Sequence, residues 1–340
     1  MKIEVLDCTL RDGCYICNSQ FGTDTIKGII SKLEKAGTEI IEIGWLKDKE
    51  HVPGTAFYHL PSDVRQYMGE KKPNFTYVTM IDWDRYNLDN LPINDHQSID
   101  AIRVVFPHGK HKEGIEVGKA LKAKGYGLYL QAANTLAYSD GDLKDLARCI
   151  NEAKPIGVSI VDTFGAMYPE DLKRIAEVLD ANLDPDIKIG FHSHNNQQLS
   201  FALSMQFAEM FKNGKRDIII DASLTGMGRG AGNTTTELLV SCLNRKQGKN
   251  YDMNAILQAI DEFMVPLQRK YEWGYSIPYF ISGTHCAHVN NLAYLIEKHQ
   301  ASNEDIWNTF ENMEASDRLK YNYDLLEEKY QTRKNNESFL

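Results

Sequence analysis

The sequence predicts an α/β protein built as a (β/α)8 TIM barrel with a C-terminal helical extension. Three observations predict it. Eight short apolar runs rich in β-branched residues recur between residues 3 and 223. Helical patterns separate most of them, and several end in glycine, the residue that lets a helix stop in a left-handed turn. The first turn, LRDGC (10–14), lacks the GxGxxG that opens the alternative architecture, a doubly wound open sheet.

Taken in order, the runs are IEVLDCT (3–9), EIIEIGW (39–45), FTYVTMI (75–81), DAIRVVF (100–106), GLYLQAA (127–133), GVSIVDT (157–163), IKIGFHSH (187–194) and DIIIDAS (217–223). They read as continuous apolar runs because parallel strands are covered on both faces. Helical patterns fall at 25–37, 113–125, 143–154, 169–183 and 196–214, so strands and helices alternate and the sheet is parallel. TTTELLVSCLNR (234–245) closes the barrel. The patterns at 253–271, 289–300, 303–313 and 323–331 are helical throughout. The expected organisation is a catalytic barrel over 1–245, a helical extension over 246–332 and a disordered polar tail over 333–340.

Composition bounds the function. The 340 residues are 42% hydrophobic and 25% charged, ordinary for a globular chain, with 47 acidic against 38 basic residues and a net charge of -9. A mildly acidic chain without a basic run is not expected to bind nucleic acid. No stretch reaches the ~18–20 apolar residues of a membrane span. MKIEVLDCTLRDG meets charge too early for a secretory signal. Six cysteines, with Cys14 and Cys17 as a lone CxxC, make neither a disulfide framework nor a zinc site. A reduced, cytoplasmic protein is expected.

In such a barrel the active site sits at the C-terminal ends of the strands. Arg11 and Asp12 end the first run, Glu42 lies in the second, Asp162 ends the sixth, and His192 and His194 end the seventh. The two histidines are i and i+2 on a strand, so both imidazoles project to one side. With Asp12 from the first strand they offer two neutral nitrogens and one hard oxygen, a set suited to a catalytic Mn, Fe, Co, Zn or Mg ion. Glu42 is a carboxylate inside an apolar run and needs a partner, for which Arg11 is the neighbour. Arg103 raises the same flag, with structural and substrate-anion roles both open. Asp162 either orients a ligand or caps a helix. GMGRGAGN (226–233) is a Gly-rich loop before a helix. Its amides, Gly228 and Gly230 among them, either hold a substrate anion or form a tight turn, and Asn233 either adds a metal oxygen or caps the helix.

TLRDG (9–13), the Glu of IEIG (41–44), HSHNN (192–196) and GMGRGAGN (226–233) together resemble the DRE-TIM metallolyase superfamily, also called HMGL-like or pyruvate carboxyltransferase. The chain looks most like its 4-hydroxy-2-oxovalerate aldolase branch, and WGYSIPYFISG (273–283) is similar to the helical extension of that branch. The resemblance implies that Asp12, His192 and His194 bind a divalent ion, foremost Mn, with Mg, Co or Zn as alternatives. Asn233 would be a further ligand, and Arg11, held by Glu42, would steady a pyruvate enolate. It implies a 2-oxo acid and an aldehyde as small-molecule partners, and an aldehyde dehydrogenase as a protein partner. One residue departs from the pattern: Tyr15 stands where the aldolases carry a basic histidine. A phenol of ordinary pKa ~10 is a poor base at neutral pH. Tyr15 then donates a hydrogen bond, and His285 or His288 of GTHCAH is the candidate base.

The expected function is therefore a class II pyruvate aldolase, making or cleaving a C–C bond beside a 2-oxo acid. No lysine ends a strand to form a Schiff base; Lys188 starts one. A Claisen-type acyl-CoA synthase or lyase and a catalytically degenerate partner subunit are the rivals. The aromatic residues Trp273, Tyr275, Tyr279 and Phe280 either form a homo-oligomer surface or pack over the mouth.

Overall fold

The structure, a computed structural model, describes residues 1–337, with side chains to residue 332. Its strands are β1 Ile3–Asp7, β2 Ile40–Leu46, β3 Phe57–Tyr58, β4 Thr76–Asp82, β5 Ala101–Phe106, β6 Gly127–Ala132, β7 Gly157–Asp162, β8 Lys188–Ser193 and β9 Ile218–Ala222. They run in the order β1-β9-β8-β7-β6-β5-β4-β2-β3, and β1 also pairs with β2. That last pairing closes the sheet, and every neighbouring pair is parallel. The two-residue β3 hangs on β2 outside the ring. The eight remaining strands are the eight runs of the sequence, so the fold is a (β/α)8 barrel.

Helices ring the barrel because each buries one stripe. Helix α3 (Thr23–Ala36) follows two short turns, α1 (Thr9–Asp12) and α2 (Cys14–Cys17), and buries Ile26, Ile29, Ile30, Leu33 and Ala36 at helical spacing. Helices α4 (His111–Ala123), α5 (Asp140–Ala153), α6 (Pro169–Asn182), α7 (Ser200–Phe211) and α8 (Thr236–Gln247) complete the ring. Between β2 and β5 the outer layer is thinner, with 3-10 turns at Pro61–Tyr67 and Leu88–Asn90.

The barrel interior explains where the charges sit. Leu6, Ile40, Val78, Ala101, Tyr129 and Ile219 form one apolar layer with Cys8. Two residues further along their strands stand Glu42, Arg103, Gln131 and Asp221, all buried. Side chains two apart on a strand share a face. The interior therefore changes from apolar to charged in one layer as it approaches the C-terminal mouth.

After the barrel come α9 (Met253–Ala259), a π-helical turn (Ile260–Met264) and α10 (Val265–Gln268). Ile256, Met264 and Leu267 belong to the barrel's own core. Helices α11 (Ile277–Thr284), α12 (Val289–His299), α13 (Asn303–Glu311), α14 (Ala315–Arg318) and α15 (Tyr323–Glu337) follow. They enclose a separate cluster that includes Ile281, Leu292, Leu295, Ile306 and Phe310. The first part of the extension expected from residue 246 thus packs into the barrel's core, with Tyr271 and Trp273 against it, because α9 lies against α3. Helical backbone also continues to Glu337, into the segment expected to be a disordered tail, and residues 338–340 lie outside the described part. No helix among the described residues is long and apolar enough to cross a membrane.

Candidate metal centre

β1 ends at Asp7, earlier than the apolar run suggests, because Cys8 to Asp12 coil into a helical turn. That turn carries Arg11 and Asp12 over the barrel mouth. His192 is on β8, while His194 lies just past its end, bridged to Asn233 of the Gly-rich loop. Asp12, His192 and His194 come together: one donor atom from each lies within 4.8 Å of the others. All three are buried.

Each histidine is held in a tautomer that frees its other nitrogen. His192 Nδ1 lies 2.9 Å from Asp221 Oδ2, which can only accept, so Nδ1 carries the proton. His194 Nδ1 donates to the Arg229 carbonyl at 3.0 Å. Both Nε2 lone pairs are then available, and His192 Nε2 stands 3.6 Å from Asp12 Oδ2. Burial pushes the His194 pKa down to about 3, so it is neutral. Burial works against an ionised Asp12, but Arg11, then His194 and His192, hold its carboxyl below the usual range. Asn233 Nδ2 donates to Asp12 Oδ2 at 2.6 Å, leaving its Oδ1 buried without a partner. Turning that amide over would aim Oδ1 at the same point. Lone pairs converging on a carboxylate oxygen repel unless a cation lies between them, so this donor set fits a divalent ion.

A buried chain of alternating charge supports the cluster. Arg11 Nη1 donates to Asp12 Oδ1 at 2.6 Å and Arg11 Nε to Glu42 Oε2 at 2.8 Å. Arg103 Nη1 donates to the same Glu42 oxygen at 2.7 Å, and its Nη2 to Asp221 Oδ2. Asp221 returns to His192. The predicted Arg11–Glu42 pair is therefore present, and Arg103 joins Glu42 to Asp221. Asp221 was missed from sequence. Its signal was the one that flagged Glu42, a carboxylate within an apolar run.

The other expected residues separate. Asp162 spends both oxygens on its own loop, accepting from Ala166 N at 2.9 Å and Met167 N at 3.2 Å. It anchors the turn rather than facing a substrate. Burial still raises its pKa to about 7. Gly228 lies against the cluster: a Cβ there would stand 2.3 Å from Asn233 Nδ2 and 3.0 Å from Asp12 Oδ2. Gly230 has φ +63 and turns the loop beside Asn196, whose Oδ1 accepts from Ala231 N. Tyr15 is half-exposed at the rim, its ring under the Arg229 guanidinium, 5.2 Å away. His285 packs edge-on against Trp307 at 4.6 Å, inside the extension. His288 caps α12 through Nδ1 and faces Arg229 through Nε2 at 2.7 Å. Neither has a hydrogen bond or ion pair to the three clustered residues, because both belong to the extension's packing. Trp273 donates to the Thr225 carbonyl at 3.1 Å, Phe280 stacks on Trp307 within the extension, and Tyr275 is exposed. Two clefts flank Tyr15, one against the extension and one against Trp45 and Lys47; Asp12 and the two histidines line neither.

A family model described as HMGL-like matches residues 119–263. The chain is 30% identical over 253 residues to an oxaloacetate decarboxylase of Mycobacterium tuberculosis, covering 71% of this chain and 70% of that protein. It is 27% identical over 277 residues to 4-hydroxy-2-oxovalerate aldolase 2 of Comamonas testosteroni, covering 78% and 75%. Among solved structures, the N-terminal domain of a candidate aldolase from Bacteroides vulgatus superposes with TM-score 0.73 at 26% identity, over 86% of this chain and 97% of that one. The carboxyl transferase domain of Rhizobium etli pyruvate carboxylase, crystallised with pyruvate, shares the fold at 14% identity, TM-score 0.70, over 98% of this chain and 62% of that one.

Proposed function

The chain belongs to the HMGL-like family of divalent-metal-dependent lyases, and from that premise we propose that it is a class II aldolase acting on a 4-hydroxy-2-oxo acid. The observation that carries the reading is the convergence of Asp12 Oδ2 and two histidine nitrogens beside the Arg11 guanidinium. Asp12, His192 and His194 would hold the ion, with Asn233 Oδ1 as a further oxygen. Manganese suits two imidazoles with hard oxygens, and Co, Zn or Mg are the alternatives. When bound, such an ion supplies Lewis acidity to the carboxylate and ketone oxygens of a 2-oxo acid.

The chain's own residues do the rest. Arg11, fixed by Glu42, presents a rigid cation to oxygen charge developing at C2. Arg103 and Asp221 hold Glu42 and His192 in place. Gly228 lets the loop backbone pack directly on Asn233 and Asp12, where any side chain would collide with the Asn233 amide. Tyr15, at the rim, donates to the aldehyde or alkoxide oxygen. In cleavage the 4-hydroxyl proton leaves through the Tyr15 hydroxyl to water, and the C3–C4 bond breaks. Its electron pair becomes the enolate that Arg11 faces, and C3 then takes a proton from water to give pyruvate. Condensation is the reverse.

The test is exchange of pyruvate methyl protons in heavy water with metal-loaded enzyme. Exchange is expected with at least one of Mn, Co, Zn and Mg; none with any of them would sink the reading. A second reading, oxaloacetate decarboxylation, is favoured by the similarity to the Mycobacterium tuberculosis protein. It ends in the same enolate, and carbon dioxide release from oxaloacetate without aldol products would favour it.

A further inference from the structure

We infer that Arg229 selects the aldehyde partner, and that this partner carries an anionic group, a carboxylate or a phosphate, seated in the cleft between Tyr15 and α12. The inference deepens the aldolase reading and rests on it.

The backbone of Arg229 is tied to the metal cluster while its side chain is not. Its carbonyl accepts from His194 Nδ1, and the preceding Gly228 abuts Asp12. Its guanidinium instead lies over the Tyr15 ring at the rim. Among the described residues no carboxylate forms an ion pair with it. Arg11, Arg103 and Arg216 each hold one or two.

Among the described residues its one side-chain hydrogen-bonding contact is contested. Arg229 Nη2 points at His288 Nε2, but His288 Nδ1 already accepts the Asn290 N–H that caps α12, at 3.1 Å. A neutral imidazole has a single acceptor nitrogen. Burial, and then Arg229 itself, keep His288 neutral, with its pKa pushed down to about 3. The cap and the arginine therefore compete for one lone pair, and the guanidinium lacks a satisfying acceptor.

An acceptor can enter from the cleft. Tyr15, Arg229, Tyr279, Asn290 and Glu297 line it among apolar side chains, and its volume is about 390 Å³. That is ample for an aldehyde bearing a further polar group. Glu297 is its one acidic lining residue, and it is exposed. A short neutral aldehyde would leave Arg229 unmatched, whereas a carboxylate or phosphate can take two parallel N–H bonds from it. The same cation argues against oxaloacetate decarboxylation as the main activity. Gripping the departing carboxylate would stabilise the ground state more than the transition state.

The experiment compares matched acceptors with pyruvate and Mn: 4-oxobutanoate against butanal for carboxylate, and glyceraldehyde 3-phosphate against glyceraldehyde for phosphate. Wild-type enzyme should favour the charged member of at least one pair about tenfold or more in kcat/KM. Arg229→Gln should erase that ratio and Arg229→Lys should restore part of it. The pair that responds names the anion. Equal use of both members of each pair by wild type, or a ratio unchanged in Arg229→Gln, would overturn the inference. Calorimetry with glycerol 3-phosphate against glycerol, and succinate against butanediol, repeats the comparison without turnover. Should pyruvate exchange fail, the aldolase reading falls, and the calorimetric preference for the charged ligands, with its loss in Arg229→Gln, still decides the role of this residue.

Discussion

The barrel interior and the seam beneath the extension use the same kinds of side chain to opposite ends. Inside, Arg11 and Arg103 alternate with Asp12, Glu42 and Asp221, and each is at most 5% exposed. Every charge there touches its opposite, since an isolated buried ion is too costly to keep. At the seam, Arg229, Tyr15 and His288 meet across a loop and two helices, and among the described residues the cation has no carboxylate. Partial access to water makes that tolerable. The interior thus has one stable arrangement, which suits a reaction shared across a family. The seam keeps an unmet demand, which suits the choice of a substrate.

The largest effect that would sharpen this contrast is at the cluster itself. Asp12→Asn or His192→Ala should abolish stoichiometric metal, measured on purified protein, and lower pyruvate exchange by more than about 100-fold. Full activity with metal retained would remove the centre from these residues. Next, Glu42→Gln should weaken both arginine contacts at once and cost about 3–5 kcal/mol in urea unfolding. Arg229→Gln, at the seam, should cost under about 1 kcal/mol. Equal costs would break the comparison.

The two hydrophobic cores give a third handle. Phe310 is wholly buried in the extension's cluster, so Phe310→Ala should cost about 3–5 kcal/mol there. Hydrogen exchange should then accelerate across α11–α15 and leave β1–β9 protected. Uniform acceleration would mean that barrel and extension unfold as one unit. Asp221→Asn keeps the shape but loses the charge that orients His192. It should weaken metal binding by about 10–100-fold in chelator competition.

A small effect is a pH dependence at the end of β1. Burial raises the Asp7 pKa to about 6, against the pull of Thr236 and Thr9 hydroxyl and amide donors. A carboxyl whose folded pKa lies above its unfolded value binds its proton more tightly when folded. Its contribution therefore favours folding as pH falls through 6, and its burial penalty is complete above it. Between pH 7 and pH 5 wild type should gain about 1 kcal/mol relative to Asp7→Asn. Parallel pH profiles for the two proteins would show that Asp7 is not the group responsible.

Much of the candidate site was legible because burial makes certain residues conspicuous. Glu42 stands out in EIIEIGW, and two histidines at i and i+2 can share one side of a strand end. Asp221 in DIIIDAS carried the same signal but had no visible partner, since Arg103 lies 118 residues away. Arg103 was left open for the same reason. His285 and His288 read as candidate bases because a missing histidine invited one. Their packing against Trp307 and Arg229 depends on how α11 and α12 settle, which no local pattern encodes.

By itself the sequence determined the eight βα units, the approximate ends of the strands and the residues that would gather at the mouth. Those follow from periodicity and from short-range chain direction, which act within a few residues. Only the tertiary structure decided which charge neutralises which, where Asp162 turns, and that Arg229 meets no acid among the described residues. Such pairings depend on the register of strands and on helix docking far apart in the chain, where a shift of one residue would exchange every partner.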